Sequence, residues 1–300
     1  MMPQILELDH NTNVAPLGVR FWDTLTDKPI SAGLFVSVYA PGDRQRAVTV
    51  FPNRSDVFVF QHVNGLRVFE SGAGDAAFWL APQPSKDLVI EVSDAENRFV
   101  PFSLRTSAPQ RGLLSWPQVS NLSLLTPPMG RTPWVPLFSA ATRLVAGGVG
   151  VIRAQLWDAT QDGPAAWAVF EVDIQDHVTV QSIADARGRV AVLFPYPTPR
   201  VEPLGAAGSP VYGPGTSALR DQIWTLTIRA RYGQLNPPTG IPDLEDALSQ
   251  PIALMWGDQA RSRLLADAQL QFGKETVLRS LDDSGLTRPS VLLVQAGSPL

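Results

Sequence analysis

The chain has 300 residues, no cysteine, three histidines and a formal net charge of −4, from 24 Lys and Arg against 28 Asp and Glu. The missing cysteines exclude disulfides, thiolate metal centres, iron–sulfur clusters and cysteine nucleophiles, and the acidic balance leaves no basic footprint for nucleic acid. Charged residues make up 17% of the chain, below the roughly 25% of ordinary globular proteins; with 27 Pro and 23 Gly, this suits a β protein with many turns, or one whose surface is partly covered by partners.

Met1 to Glu7 has neither the basic segment nor the apolar core of a secretory leader, and no apolar run approaches the roughly 18 residues of a membrane span. The expected location is therefore cytoplasmic, with release of an assembled particle on lysis as a route that leaves no mark in the sequence. The first half then reads as short apolar runs separated by turn residues: Gln4–Leu8, Leu17–Trp22, Leu34–Tyr39, Ala47–Phe51, Val57–Val63, Leu88–Val92 and Phe99–Leu104. Val57-Phe58-Val59-Phe60 is β-branched and aromatic, as a buried strand requires. Ala40-Pro41-Gly42-Asp43 and Ser93-Asp94-Ala95-Glu96-Asn97 carry turn chemistry. Seven short strands at this spacing predict a β-sandwich over residues 1–106.

Residues 107–140 form a bridge rich in Pro, with Trp116 and Trp134 among the prolines. Proline fixes φ and removes donors, so regular structure there should be patchy. Its Trp and Leu predict packing against a domain or a partner. The second half, 141–300, predicts strands at Val149–Trp157, Trp167–Ile174, Val178–Ile183, Val190–Phe194, Ile223–Arg229, Ile252–Trp256 and Val291–Gln295. Ala268–Phe272 and Thr276–Ser280 are expected to form a C-terminal hairpin around Gly273-Lys274. Residues 195–216 read as a Pro/Gly insertion too long for an ordinary hairpin, and Asp243–Leu248 reads as a short helix.

One octet occurs twice. Trp22-Asp23-Thr24-Leu25-Thr26-Asp27-Lys28-Pro29 reappears, at a constant offset and without a gap, as Trp157-Asp158-Ala159-Thr160-Gln161-Asp162-Gly163-Pro164. An apolar stretch precedes each copy and a strand-like run comes after it. The expected fold class is therefore all-β: two tandem β-sandwich domains from an internal duplication, with at most a short helix in the second. By the constant offset Val36 and Val38 align with Glu171 and Asp173, which would turn an apolar face outward. Either a register shift occurs after the hairpin, or both faces of the first copy are covered.

Asp185-Ala186-Arg187-Gly188-Arg189-Val190-Ala191-Val192-Leu193-Phe194 reads as a turn, a Gly and a buried strand. With the unit at Trp157 it resembles carboxypeptidase-regulatory-like and transthyretin-like β-sandwiches, and Ser55-Asp56-Val57-Phe58 is a looser version. The segments Val63-Asn64-Gly65-Leu66-Arg67-Val68-Phe69-Glu70, Arg98-Phe99-Val100-Pro101-Phe102, Val135-Pro136-Leu137-Phe138-Ser139, Phe194-Pro195-Tyr196-Pro197 and Gln271-Phe272-Gly273-Lys274 together resemble a family of structural proteins of phage-tail-like contractile injection systems. That resemblance implies a baseplate- or cap-associated subunit held to other protein subunits, such as baseplate, sheath or tube components.

The chemistry in the chain has plain alternatives. Glu171 and Asp173, ahead of Asp176 and His177, could contribute oxygen ligands to Ca²⁺, but no acidic loop punctuated by Gly is present to supply the remainder; a solvated strand face is the expected reading. The pairs Asp23/Asp27 and Asp158/Asp162 could suggest acid–base work, yet in hairpin connections they read as turn residues. His10, His62 and His177 stand in no paired-ligand spacing. Gly72-Ala73-Gly74-Asp75-Ala76-Ala77 lacks the strand and helix that a nucleotide site needs. No cofactor, metal or catalytic residue is assigned. Trp22 and Trp157, at equivalent positions, are expected to pack in the core. The expected interaction surface is Trp79, Trp116, Trp134, Tyr196 and Tyr212, since aromatic anchors concentrate binding energy. A non-enzymatic structural subunit is the first expectation, and a carbohydrate- or ligand-binding β-sandwich module with Trp79, Trp116 or Trp134 as platforms is the alternative.

Overall fold

The computed structural model of the chain describes residues 12–13, 15–63, 66, 71–72, 85–110, 112–114, 133–145, 147–174, 178–197, 219–282 and 290–297. The expected strand Gln4–Leu8 and most of the insertion at 195–216 lie outside them. The fold is all-β, with one short helix among the described residues. The chain divides into two compact units, Met1–Ala95 with Pro101–Leu137, and Glu96–Val100 with Phe138–Leu300. This division runs through the segment read as a bridge.

The first unit contains β1 (Thr12–Asn13), β2 (Leu17–Asp23), β3 (Lys28–Pro29), β4 (Leu34–Tyr39), β5 (Val48–Val50), β6 (Val57–Phe60), β7 (Ser71–Gly72), β8 (Lys86–Asp94), β9 (Phe102–Ala108) and β10 (Val135–Leu137). One sheet runs β10-β2-β3 with β6 also on β2, a second runs β5-β4-β8-β9, and β1 pairs with β7. Alternation along β2 puts Leu17, Val19 and Phe21 on one buried face, as period 2 demands. Phe21 meets Phe58 edge-on at 5.4 Å and Phe102 of the second sheet at 6.4 Å, so aromatic contacts between the sheets centre this core.

The second unit contains β11 (Val149–Asp158), β12 (Gly163–Pro164), β13 (Val169–Ile174), β14 (Val178–Ile183), β15 (Arg189–Pro195), β16 (Ile223–Arg231), α1 (Leu244–Leu248), β17 (Ile252–Trp256), β18 (Asp267–Gln271), β19 (Glu275–Leu278) and β20 (Leu292–Ala296). Strand β11 pairs with β15 and β19 along its first part, and with β12 and β20 at its end. From the other side, β20 continues through β17, β16 and β13 to β14. Phe170, Val172, Val192, Phe194, Trp224, Leu226 and Ile228 lie in one buried cluster between them. Helix α1 forms where expected: the Asp243 side chain accepts from the Glu245 and Asp246 amides, and Leu244, Ala247 and Leu248 are buried.

The expected C-terminal hairpin is a different structure. The turn is present, with the Lys274 amide donating to the Gln271 carbonyl and Gly273 at φ 73°. Its two strands nevertheless pair elsewhere, β18 with β16 and β19 in parallel with β11. The turn is a corner at which the chain leaves one ladder for another, a common device in sandwiches.

The two units share local geometry well beyond the octet. Antiparallel β2–β6 corresponds to β11–β15, β4–β5 to β13–β14, and β4–β8 to β13–β16. Even the parallel neighbours agree: β10 puts Val135, Pro136 and Leu137 opposite Phe21, Trp22 and Asp23, and β20 puts Leu292, Leu293 and Val294 opposite Leu156, Trp157 and Asp158. The turn before β15 also recurs. Asp185 accepts from the Arg187 and Arg189 amides, and Asn53 accepts from those of Ser55 and Val57. Each turn has a positive φ in third place after the acceptor, Gly188 at 74° and Asp56 at 57°.

A one-residue difference in a link sets the register of the strands after the two octets. Ile30 to Gly33 separate Pro29 from β4, whereas only Ala165 to Trp167 separate Pro164 from the equivalent run at Ala168, one residue fewer. Gly33 and Trp167 both sit at positive φ, 79° and 63°. The shorter link moves the alignment, so that Ala168, Phe170 and Val172 take the core positions of Leu34, Val36 and Val38, and Glu171 corresponds to Ser37.

The Gly188 position tests this turn. A β-carbon there would fall on the Leu156 carbonyl oxygen, at a φ that L side chains rarely adopt. Gly188→Ala should cost at least about 2 kcal/mol in denaturant unfolding. Gly147→Ala, with nothing within 4 Å, should change stability by less than about 0.5 kcal/mol. Equal effects would contradict the turn geometry.

Candidate functional site

The paired acids of the octet carry the most conspicuous chemical groups of the chain. Asp23 is 1% exposed and Asp158 3%, and a buried carboxylate must find donors. Oδ1 of Asp23 accepts from the Leu25 amide at 3.1 Å, and Oδ2 accepts from the Thr26 hydroxyl at 2.7 Å. Oδ1 of Asp158 accepts from the Thr160 amide at 2.7 Å and the Gln161 amide at 3.2 Å. Its Oδ2 takes the Tyr232 hydroxyl at 2.9 Å. The second acid of each pair is a lid on the turn: Asp27 and Asp162, at φ 52° and 50°, accept from Nε1 of Trp22 and Trp157 at 3.1 and 3.0 Å. These acids fold back on their own turns, as turn chemistry predicts. The two tryptophans are half-buried, each with its ring beside the turn, so full core packing does not describe them.

The Glu171 region departs from the expected solvated face. Glu171 is 2% exposed, on the side of β13 away from the Phe170 core. Arg231 Nε reaches it at 2.7 Å, Arg229 Nε at 3.4 Å and the Gln181 amide at 2.9 Å. Gln181 and Arg229 are its register partners on β14 and β16, so the ladder itself delivers the donors. Asp173 takes Arg229 at 2.8 Å and the Thr179 hydroxyl at 2.6 Å. Arginine here occupies the oxygens a cation would need. Among the described residues no group of three or more His, Asp and Glu has metal-binding geometry. Asp176 and His177 lie outside the described residues, as does His10.

Of the aromatic residues expected at a partner surface, Trp79, Trp116 and Tyr212 lie outside the described residues. Trp134 is 8% exposed and stacks on Trp22 with ring centres 5.9 Å apart. Tyr196 packs at 4.6 Å on Phe272 and 5.5 Å on Trp224, and its hydroxyl accepts from the Gly273 amide. Both are tied into their own units, so Trp134 offers no open ring to a sugar.

An apolar surface does exist, on strands whose outward side chains do not stand out in the sequence. In β17, Ala253 and Met255 face the core, so Ile252, Leu254 and Trp256 face outward, Ile252 60% and Leu254 40% exposed. Register places Pro164, Trp157, Leu293, Trp256 and Leu264 side by side across successive strands. Directly opposed residues share a face, so these five make one row, with Leu254 and Ile252 in the rows beside it. The signal in the sequence is Ile252-Ala253-Leu254-Met255-Trp256, a run without polar alternation, which reads equally well as a strand buried on both sides.

No protein-family model matches the chain, and no curated protein matches it. Among solved structures it is similar to a streptococcal ancillary pilin at 10% identity and a TM-score of 0.22, over 93% of this chain and 63% of that one. It is similar to the shaft pilin SpaA of Lactobacillus rhamnosus GG at 9% identity and a TM-score of 0.20, over 97% of this chain and 100% of that one. The chain therefore spans less than two thirds of the ancillary pilin's length. Overlaps this low establish no shared fold.

The geometry of the turns predicts unequal roles within each acid pair. Asp158→Ala strands the Tyr232 hydroxyl and two turn amides and should cost about 2–4 kcal/mol, whereas Asp162→Asn, which keeps a side chain suited to the positive φ there, changes only an exposed contact and should cost less than about 1 kcal/mol. Burial, followed by the hydrogen bond to Asp158, raises the Tyr232 pKa above its ordinary value, and burial with Glu91 does the same for Tyr39. A raised folded pKa keeps the stabilisation whole below the unfolded value near 10 and loses it as pH climbs beyond. Unfolding free energy should therefore fall above about pH 10, and Tyr232→Phe should flatten that fall. An identical alkaline profile in the variant would contradict the assignment.

Proposed function

We propose that the chain is a non-enzymatic structural subunit of a large protein assembly, a baseplate- or cap-associated component of a phage-tail-like contractile injection system. The observation that supports an assembly role is the row Pro164–Trp157–Leu293–Trp256–Leu264 with Leu254 and Ile252 beside it. A continuous outward apolar row on a regular sheet marks a surface that another protein covers. Covering it releases roughly 25 cal/mol for each Å² of apolar area, and half-buried Trp rings are the side chains that concentrate such energy. The polar side chains at the other end of the sheet fit the same role. Glu171, Asp173 and Arg229 are held to one another, which makes a fixed surface and leaves the oxygens engaged. The injection-system part of the reading rests on the segment resemblance, of which Val135-Pro136-Leu137 is β10 and Gln271-Phe272-Gly273-Lys274 is the corner between β18 and β19.

The test is incorporation into a particle. The tagged chain should co-purify with intact sheathed particles, and gold label on the tag should sit at one end of them. Leu254→Asp and Ile252→Asp place charge on the outer face without entering the core. They should keep the unfolding midpoint and reduce incorporation at least tenfold, about 1.4 kcal/mol of lost association. Particles that lack the tagged chain would defeat the injection-system reading. Normal incorporation of both variants would defeat the role of this face.

A further inference from the structure

The first unit leaves two hydrogen-bond donors unanswered on one patch of its outer side. Arg20 lies in β2 between Gly18 and Trp22, on the side away from the Phe21 core, since side chains alternate along a strand. Its Nε is enclosed and has no acceptor, and its guanidinium makes no ion pair with any described residue. Arg44 of the same unit, by contrast, is held by Glu91 at 2.9 Å. The second donor comes from the parallel neighbour. Strand β10 sets Val135 opposite Phe21, which brings Trp134, one place earlier, beside Arg20. The Trp134 ring stacks on Trp22 with 24° between the planes, and the residue is only 8% exposed. Trp22 gives its Nε1 to Asp27, but Nε1 of Trp134 is buried and has no acceptor. A buried donor without a partner is rare in native structures and calls for an explanation. Here two stand side by side.

The ground around these donors is apolar. Val57, 8% exposed, is the register partner of Arg20. A β-carbon on Gly18 would lie 3.1 Å from Val57 Cγ1 and 3.2 Å from Leu113 Cδ2, so both side chains crowd this side of the strand. Pro136 lies opposite Trp22. A guanidinium drawn partly out of water without a counter-charge is unfavourable, and Val57, Leu113 and Pro136 cannot relieve it. One planar acceptor with a single negative charge would, and a carboxylate matches the guanidinium fork. A phosphate dianion would bring a second, unbalanced charge into the same apolar surroundings.

We propose that this patch binds the carboxylate of an Asp or Glu side chain from a partner protein, held by the Arg20 guanidinium with Trp134 Nε1 as second donor. Arg20 is half-buried, and its outer nitrogens are not enclosed, which gives the acid its way in. Val57 and Leu113 offer apolar surface to the stem of a side chain and to its neighbours, which a small free anion would not use. The site belongs to the first unit and takes nothing from the row around Trp157. It goes beyond the assembly reading by giving one contact its chemistry.

The probe is the blocked tripeptide acetyl-Leu-Glu-Leu-amide, whose only charge is the Glu carboxylate. It is titrated into the isotope-labelled chain and followed by NMR at the Arg20 Nε–H and Trp134 Nε1–H resonances. Both should shift saturably, and acetyl-Leu-Gln-Leu-amide should bind at least about tenfold more weakly. Acetate at the peptide's own concentration should leave both resonances in place. Arg20→Met, similar in length and uncharged, should abolish the Trp134 shift and leave the unfolding midpoint unchanged or higher, because an unpaired charge has gone. Trp134→Phe keeps the ring stack and should weaken binding about threefold. The proposal is overturned by no saturation up to about 10 mM, by equal binding of the two peptides, or by a lower midpoint in Arg20→Met, which would make Arg20 a structural residue. An acetate response equal to the peptide's would also overturn it and make this a small-anion site. Particle incorporation reads the outer row separately: an Ile252→Asp chain excluded from particles should still bind the peptide, and failed peptide binding in a chain that incorporates normally sinks this proposal alone.

Discussion

A carboxylate taken out of water has to be met by donors, and the rest of each unit is arranged around that requirement at Asp23 and Asp158. Each stands at the end of the strand that founds its unit, and each is satisfied mainly by residues two or three places further along the chain. Closing on those donors bends the backbone into one turn, which brings Pro29 or Pro164 back beside the Trp. The founding strand is thereby fixed in direction. Its far edge accepts a parallel neighbour in the same register in both units, β10 in one and β20 in the other. Because the acid is spent on the turn, it is a closing device, and its repetition reflects its being needed wherever this turn is made.

The units part company just after that turn, through a single residue. The shorter link in the second unit keeps the apolar positions on the core, and it changes which side chains point outward. Phe35 and Ser37 stand on the outer side of β4, with Phe35 largely exposed. Val169 and Glu171 occupy the corresponding places on β13 and are both covered. In the second unit the outer side has become a surface of two characters. Strands β13 and β16 carry acids and arginines matched across the ladder, with Gln181 and Thr179 of β14 beside the acids, and β11, β20 and β17 carry Trp, Leu and Ile. A catalytic reading of the acids is weakened by this arrangement, since their oxygens are already engaged, whereas a role as fixed surface is helped by it.

Much of this was legible in the residues alone, and the reasons are local. Turn residues mark the ends of β2, β4, β6, β11, β13 and β15, and their interiors are apolar, alternating in β2, β4 and β11 and continuous in the buried strands β6 and β15. The Asp243 cap and the apolar residues behind it mark α1. The Asn53 and Asp185 turns were half legible: Gly188 advertised one, while Asp56, an L residue at positive φ, concealed its partner. The illegible part was long-range. Lys274 and Gly273 announce a turn but not that the strands beside it pair with β11 and β16. Glu171 and Asp173 look solvated in sequence, because the arginines that cover them lie on β16, far along the chain. Trp134 looked like an anchor because nothing in the sequence shows Trp22 stacked on it.

If the repeated acids close the turns of a rigid scaffold, the amides they hold must be as protected as the strands they end. Native-state amide hydrogen exchange tests this most directly, at the Leu25, Thr160 and Gln161 amides that the two carboxylates hold. The account predicts that these turn amides exchange only with global unfolding, in step with amides of β2 and β11. Exchange at the rate of an open loop would mean that the carboxylates do not hold their turns, and would contradict it.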